Sequence, residues 1–334
     1  MRLLVTGGAG FIGSNFVHHA LKEHPDWEIT NLDKLTYAGN LENLKDAQDR
    51  PGYHFVKGDI ADRKVVDGLL SQGFDVIVNF AAESHVDRSI LDASPFIETN
   101  VKGTQILLEG AKKHGIQRFV QVSTDEVYGS IDNGYSTEQS PLSPSSPYSA
   151  SKTAADLLCL AYFKTHSLPV VVTRCTNNFG PYQFPEKLIP LAVTNVLEDK
   201  PIPVYGDGLN IRDWIFVDDH CRALDVVIHG GKPGEIYNIG GGNEKTNLEL
   251  IHKLLELLDK PRSLIQFVSD RPAHDRRYAL DCGKITAELG WKPACSFEKG
   301  LSATVDWYLK NESWWRAIKS GEYAKYYEKM YLKR

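Results

Sequence analysis

Two groups of side chains have the types and spacing for proton-transfer chemistry. Tyr148 and Lys152 stand four residues apart, and Thr124, Asp125 and Glu126 follow the apolar run from Arg118 to Ser123. On a helix beginning near Pro147, residues at i and i+4 share a face. An ammonium there favours phenolate over phenol and lowers a tyrosine pKa that starts near 10, so Tyr148 could take a hydroxyl proton. Two crowded carboxyl groups suit a different step. Repulsion raises the pKa of one, leaving a carboxylic acid beside a carboxylate. The carboxylate can take a hydrogen next to a carbonyl while the acid protonates a departing hydroxyl. Neighbours on an ideal strand face opposite ways, so both carboxyls reach one substrate only if the chain turns there. Such a turn is expected.

Making a carbonyl from an alcohol requires a hydride acceptor, and the start of the chain offers a site for one. The segment Gly7–Gly13 (GGAGFIG) follows a short apolar run, opens an amphipathic stretch to Lys22, and precedes Asp33 by about twenty residues. Gly7, Gly10 and Gly13 allow a tight turn and close backbone approach to a pyrophosphate at a helix N-terminus, with Phe11 and Ile12 between them. Asp33 can accept from both ribose hydroxyls and would repel a 2′-phosphate, which predicts NAD over NADP, even with Lys34 beside it. Asp59 and Ile60 lie where an adenine would rest. Ala81, Ala82 and Ser84 are small enough to let a cofactor approach the sheet edge.

These groups need a frame. Apolar runs over Arg2–Thr6 and Glu28–Leu32, and others ending at Val56, Asn79, Ser123 and Arg174, alternate with helical periodicity over Arg63–Ser71, Phe96–His114 and 147–166. The predicted class is α/β: a Rossmann-type doubly wound parallel sheet with a smaller mixed α/β C-terminal substrate lobe. The expected division is 1–176 for cofactor and catalytic residues and 177–334 mainly for substrate, with some crossings back. Asp132–Pro147 reads as a loop. The tail carrying Trp314, Trp315, Tyr323, Tyr326, Tyr327 and Tyr331 reads as a docked end.

The chain has 334 residues, 42% hydrophobic and 24% charged, an ordinary globular composition with room for two lobes. A net charge of −5 with dispersed Lys and Arg implies no nucleic-acid or anionic-membrane face. Five cysteines without paired spacing read as reduced thiols, and no metal site is expected from them. With no apolar run of spanning length and no signal segment, the expected place is the cytoplasm.

The glycine segment with Tyr148–Lys152 (YSASK) resembles the extended short-chain dehydrogenase/reductase family over nearly the whole chain. Ala82–Ser89 (AESHVDRS), Ser123–Gly129 (STDEVYG), Asn177–Tyr182 (NNFGPY) and Asp270–Tyr278 (DRPAHDRRY) resemble its dTDP-glucose 4,6-dehydratase branch. That resemblance implies bound NAD, a nucleotide-diphosphate-sugar substrate (dTDP-glucose), and a homodimer paired through helices of the cofactor domain. It implies Tyr148 as base for the 4-hydroxyl, Lys152 as its activator, and Thr124 as a donor to the same oxygen. Asp125 becomes the acid and Glu126 the base of elimination. Arg212 and Arg271 match diphosphate positions. Ser84, His85, Arg88, Asn177, Asn178, Lys187, Leu188, Tyr205, Asn247 and His274 complete the implied substrate set. Ala273 stands where the resemblance leads one to expect glycine in many relatives. The alternatives are a UDP-sugar 4-epimerase, which needs no elimination pair, another nucleotide-sugar 4,6-dehydratase, and an NAD-binding redox regulator without turnover.

Overall fold

The structure, a computed structural model, describes residues 1–320 and 327–328. Tyr323, Tyr326 and Tyr331 of the aromatic tail lie outside the described residues. The strands are β1 (Arg2–Thr6), β2 (Glu28–Asp33), β3 (Tyr53–Lys57), β4 (Val76–Asn79), β5 (Arg118–Thr124), β6 (Val170–Cys175), β7 (Asn177–Phe179), β8 (Ile202–Tyr205), β9 (Ile211–Phe216), β10 (Ile236–Ile239), β11 (Glu244–Thr246) and β12 (Ile265–Val268). Seven form one parallel sheet in the order β10-β6-β5-β4-β1-β2-β3, a doubly wound arrangement with its crevice beside β1 and β4.

Successive residues in the central strands feed opposite cores. Leu3, Val5, Val76 and Val78 pack beneath one helical layer, while Leu4 and Ile77 pack beneath the other. That is why these strands read as continuous apolar runs, the pattern of a sheet covered on both faces. One layer contains helix Phe11–Glu23 and helix Val217–Gly230; the other contains Arg63–Leu70, Thr104–His114 and Pro147–His166.

The expected Phe96–His114 helix is interrupted by a π-helical segment, Ile97–Gly103, a distortion common at functional sites. From it Asn100 donates to Glu83 O (3.0 Å) and Ser151 Oγ (2.8 Å) and accepts from Glu83 N (2.9 Å). The β4 loop is thereby tied to the helix carrying Tyr148 and Lys152.

After β6 the chain builds a second lobe around Phe179, Trp214, Leu250, Phe297 and Trp315, with two small sheets, β11-β9-β7 and β12-β8. The chain also returns to the large sheet, because β10 pairs with β6 and helix Val217–Gly230 lies on helix Phe11–Glu23. Trp314 donates to Asn43 Oδ1 (2.9 Å) and the fully buried Trp315 to Tyr308 O (3.0 Å), so this part of the tail is docked.

Candidate active site

A single cleft runs along the C-terminal ends of β1, β2, β4, β5 and β6. Its walls include Gly7, Gly10, Phe11, Ile12, Gly13, Asp33 and Lys34 at one end, and Thr124, Asp125, Glu126, Tyr148, Lys152, Asn177, Asn178 and Lys187 at the other. Asp59, Ile60, Ala81, Ala82 and Ser84 line it between them. Two groups at least 90 residues apart in sequence therefore face one space.

The glycine turn fits a dinucleotide. Gly7 has φ +71°, and a Cβ there would meet Ala81 N at 2.6 Å; a Cβ on Gly13 would sit 2.8 Å from Gly8 Cα. Helix Phe11–Glu23 starts at Gly10 with no side-chain cap, leaving its first N–H groups for an anion. Asp33 accepts from Ala9 N (2.9 Å) and Leu35 N (2.8 Å), which fixes its carboxylate at the cleft wall with lone pairs to spare. Lys34 reaches Asp59 Oδ2 at 2.6 Å and so bridges two strand ends rather than standing free.

The expected turn is present. Strand β5 ends at Thr124, whose hydroxyl accepts from Glu126 N (3.2 Å) and caps a 3-10 turn over Asp125–Tyr128. Asp125 is 2% exposed; Oδ1 accepts from Thr124 Oγ1 (3.1 Å), and Oδ2 has no hydrogen-bond partner among the described residues. Burial, then the neighbouring Glu126, pushes its pKa well above the ordinary range. Burial also raises Glu126, but Arg271, Lys187 and Arg212 oppose that rise. The two carboxyls thus differ in kind, one held neutral and one facing three cations.

Tyr148 is nearly inaccessible. Burial, then Glu126, pushes its pKa well above 10, a direction opposite to the depression expected from Lys152. Lys152 does not offset that rise: its ammonium donates to Val122 O (2.7 Å), and burial lowers its own pKa. In the protein alone the phenol keeps its proton.

The other expected substrate residues divide by surroundings. Lys187 donates to Ser84 O (3.0 Å), and Arg88 Nε lies 3.2 Å from Glu186 Oε2 with its guanidinium 3.8 Å over the Tyr37 ring. His85 is buried beside them, with Nε2 4.0 Å from Glu186 Oε2, and burial holds it neutral. Tyr205 donates to Asp87 Oδ2 (2.8 Å), and Arg271 reaches Asp87 Oδ1 at 3.4 Å. Arg212 stacks 4.4 Å over Tyr278 and donates to the carbonyls of Ile211 (2.7 Å) and Asp275 (2.8 Å). His274 holds Asp270 (2.6 Å) and lies edge-on to Tyr205, its pKa pushed down to about 4 by burial and then Arg271.

Not every expected residue turns toward the cleft in the same way. Asn178 spends its amide on His220 Nδ1 (2.9 Å), Thr176 O (3.0 Å) and Cys175 Sγ (3.4 Å), a packing network. Leu188 packs on the second-lobe core, and Asn247 heads helix Asn247–Leu257. Ala273 has φ +52°, a left-handed conformation costing about 1 to 2 kcal/mol in a residue with a Cβ, a position that suits the glycine expected there. Sequence reasoning overlooked Tyr37, Asp87, Asn100 and Glu186. Asp87 and Glu186 are acids adjoining suspected cations and had that signal; Tyr37 and Asn100 had none.

Residues 4–304 match the family model described as GDP-mannose 4,6 dehydratase. The dTDP-glucose 4,6-dehydratase of Streptomyces niveus is 54% identical, covering 97% of each chain. The structure of DesIV, a dTDP-glucose 4,6-dehydratase from Streptomyces venezuelae solved with NAD bound, is 56% identical with a TM-score of 0.94 over 96% of this chain and 100% of that one. A UDP-glucuronic acid 4-epimerase from Bacillus cereus is 29% identical with a TM-score of 0.88, over 93% of this chain and 99% of that one.

Proposed function

The chain belongs to the dTDP-glucose 4,6-dehydratase family, and on that premise we propose that it converts dTDP-glucose to dTDP-4-keto-6-deoxyglucose, consuming no cofactor overall. Gly7, Gly10, Gly13 and Asp33 would hold NAD, which would supply a hydride acceptor for C4, the hydride for C6 and, when oxidised, a positive charge. Tyr148 as the phenolate takes up the proton of the 4-hydroxyl, becoming the phenol, with Thr124 donating to the same oxygen. Burial and then Glu126 raise the Tyr148 pKa, so loss of its proton would draw on Lys152 and on the positive charge that oxidised NAD would bring. Activation of the base is thereby tied to cofactor binding.

The ketone at C4 acidifies the C5 hydrogen. Glu126, whose burial-raised pKa is held down in part by Arg271, Lys187 and Arg212, removes it as the carboxylate. Asp125, neutral in its pocket, protonates the C6 hydroxyl as it leaves. After hydride return to C6, a proton goes back to C5. The single observation carrying this reading is the unequal pair: a buried Asp125 with one oxygen unpartnered beside a Glu126 ringed by cations. An epimerase on the same fold has no use for it.

Incubation with dTDP-glucose and no added electron acceptor tests this by mass spectrometry. Loss of one water is expected; a product of unchanged mass returns the chain to the epimerases. In Glu126→Gln, solvent deuterium should stop entering C5, and continued entry means that another residue is the base.

Support for a homodimer comes from the outer layer. Ile97 and Leu157, on the π-helical segment and on helix Pro147–His166, are 53% and 52% exposed. An apolar surface on these helices suits pairing with a second copy. Light scattering of Leu157→Glu should show monomers; an unchanged mass removes that assignment. No described helix is long and apolar enough to cross a membrane. We assign the enzyme to the cytoplasm, on thiols that include three buried and unpaired cysteines.

A further inference from the structure

At the far end of helix Phe11–Glu23, away from the glycine turn, several imidazoles converge on one carboxylate. His24 Nε2 lies 2.9 and 3.0 Å from the two oxygens of Asp225, and His229 Nδ1 lies 3.2 Å from Oδ1. The three donor atoms all lie within 4.8 Å of one another. His19 Nε2 lies 3.5 Å from Asp225 Oδ2. Three imidazoles thus gather on one carboxylate.

We propose that His24, Asp225 and His229 form a binding site for a divalent cation of the zinc class, clamping helix Phe11–Glu23 to helix Val217–Gly230. Two imidazole nitrogens and a carboxylate oxygen are a ligand set that such ions favour. Bonds of about 2.0 to 2.1 Å in a tetrahedron put donor atoms roughly 3.3 Å apart, close to the separations from His24 and His229 to Asp225. Two features prepare the site. His24 stacks on Trp27 with ring centres 3.8 Å apart and planes 6° from parallel, which fixes its ring. Asp225 and His229 are i, i+4 on one helix, the spacing that sets two ligands on one face.

His229 Nδ1 lies 2.9 Å from the Asp225 carbonyl and donates to it as the Nδ1–H tautomer. Ligation shifts that proton to the exposed Nε2 and leaves the Nδ1 lone pair for the metal. The fourth position falls to water or His19. The clamp sits about 20 Å from the glycine turn, the length of a 13-residue helix, so its role is to brace the fold.

The test uses untagged full-length protein, stripped with a chelator and titrated with zinc chloride. Wild type should retain one zinc per chain through gel filtration and melt at a higher temperature with zinc than without. Asp225→Asn and His229→Gln should lose both effects while keeping turnover, and cobalt(II) should give a tetrahedral visible spectrum only with wild type. Because His229 is exposed, His229→Gln leaves the fold intact. Absence of zinc from wild type overturns the proposal, and so does equal retention by both variants.

Discussion

Replacing Asp125 by Asn separates the two properties assigned to this residue. The amide keeps the shape and the Thr124 contact of the neutral acid but has no proton to give. General acid catalysis contributes about 10²- to 10⁴-fold, so dehydration at neutral pH should slow by that factor, some 3 to 5 kcal/mol in the barrier. C4 oxidation needs no acid, so absorbance of reduced cofactor should build up during turnover. Stability gives an independent reading. The folded-state pKa of Asp125 lies well above its unfolded value of about 3.9, so between the two the native state binds more protons. Stability is therefore greatest below the unfolded pKa and falls by about 1.4 kcal/mol per pH unit until the folded pKa is passed. The variant lacks this loss. Urea unfolding at intervals between about pH 5 and 8 should show it gaining on the Asp125 protein as pH rises. Glu126 also shifts upward and is coupled to Asp125, so the comparison is made in a Glu126→Gln background, where only residue 125 differs. Parallel stability curves would refute the buried neutral acid, and unimpaired dehydration would refute its catalytic role.

Other substitutions probe the remaining parts. Lys152→Met removes the nearest cation from the phenol's helix face, and the pH of half-maximal C4 oxidation should rise by about one unit or more; an unmoved midpoint means Lys152 does not tune Tyr148. Gly13→Ala drives a Cβ into the backbone of Gly7 and Gly8, and NAD affinity measured by calorimetry should fall at least about tenfold; retained affinity would show that the turn yields. Asp156→Asn strands the guanidinium of Arg174, its partner at 2.9 Å in a pair almost without solvent contact. Breaking such a pair costs about 3 to 5 kcal/mol, and a loss under about 1 kcal/mol by denaturant titration would show that other groups balance Arg174.

What could be read along the chain was local. The glycine turn, the strand–helix alternation and the i, i+4 pair of Tyr148 and Lys152 each depend on neighbours within a few residues or on a repeat that backbone geometry imposes. The adjacency of Asp125 and Glu126 announced a carboxyl pair, and the same steric rule for strands required the turn found at Thr124. Crowding foretold a split pair, but which member faces the cations was not legible, because the charges facing Glu126 come from positions 187, 212 and 271. Nor were the partners of those charges: Arg271 meets Asp87 across 184 residues, Tyr205 meets it across 118, and Arg88 meets Glu186 across 98. The return of β10 beside β6, which lays helix Val217–Gly230 over helix Phe11–Glu23, likewise brought His24 to Asp225. Sequence determines which group can carry a proton; the fold decides whether it does, since pKa depends on burial and on charges that only long-range packing delivers.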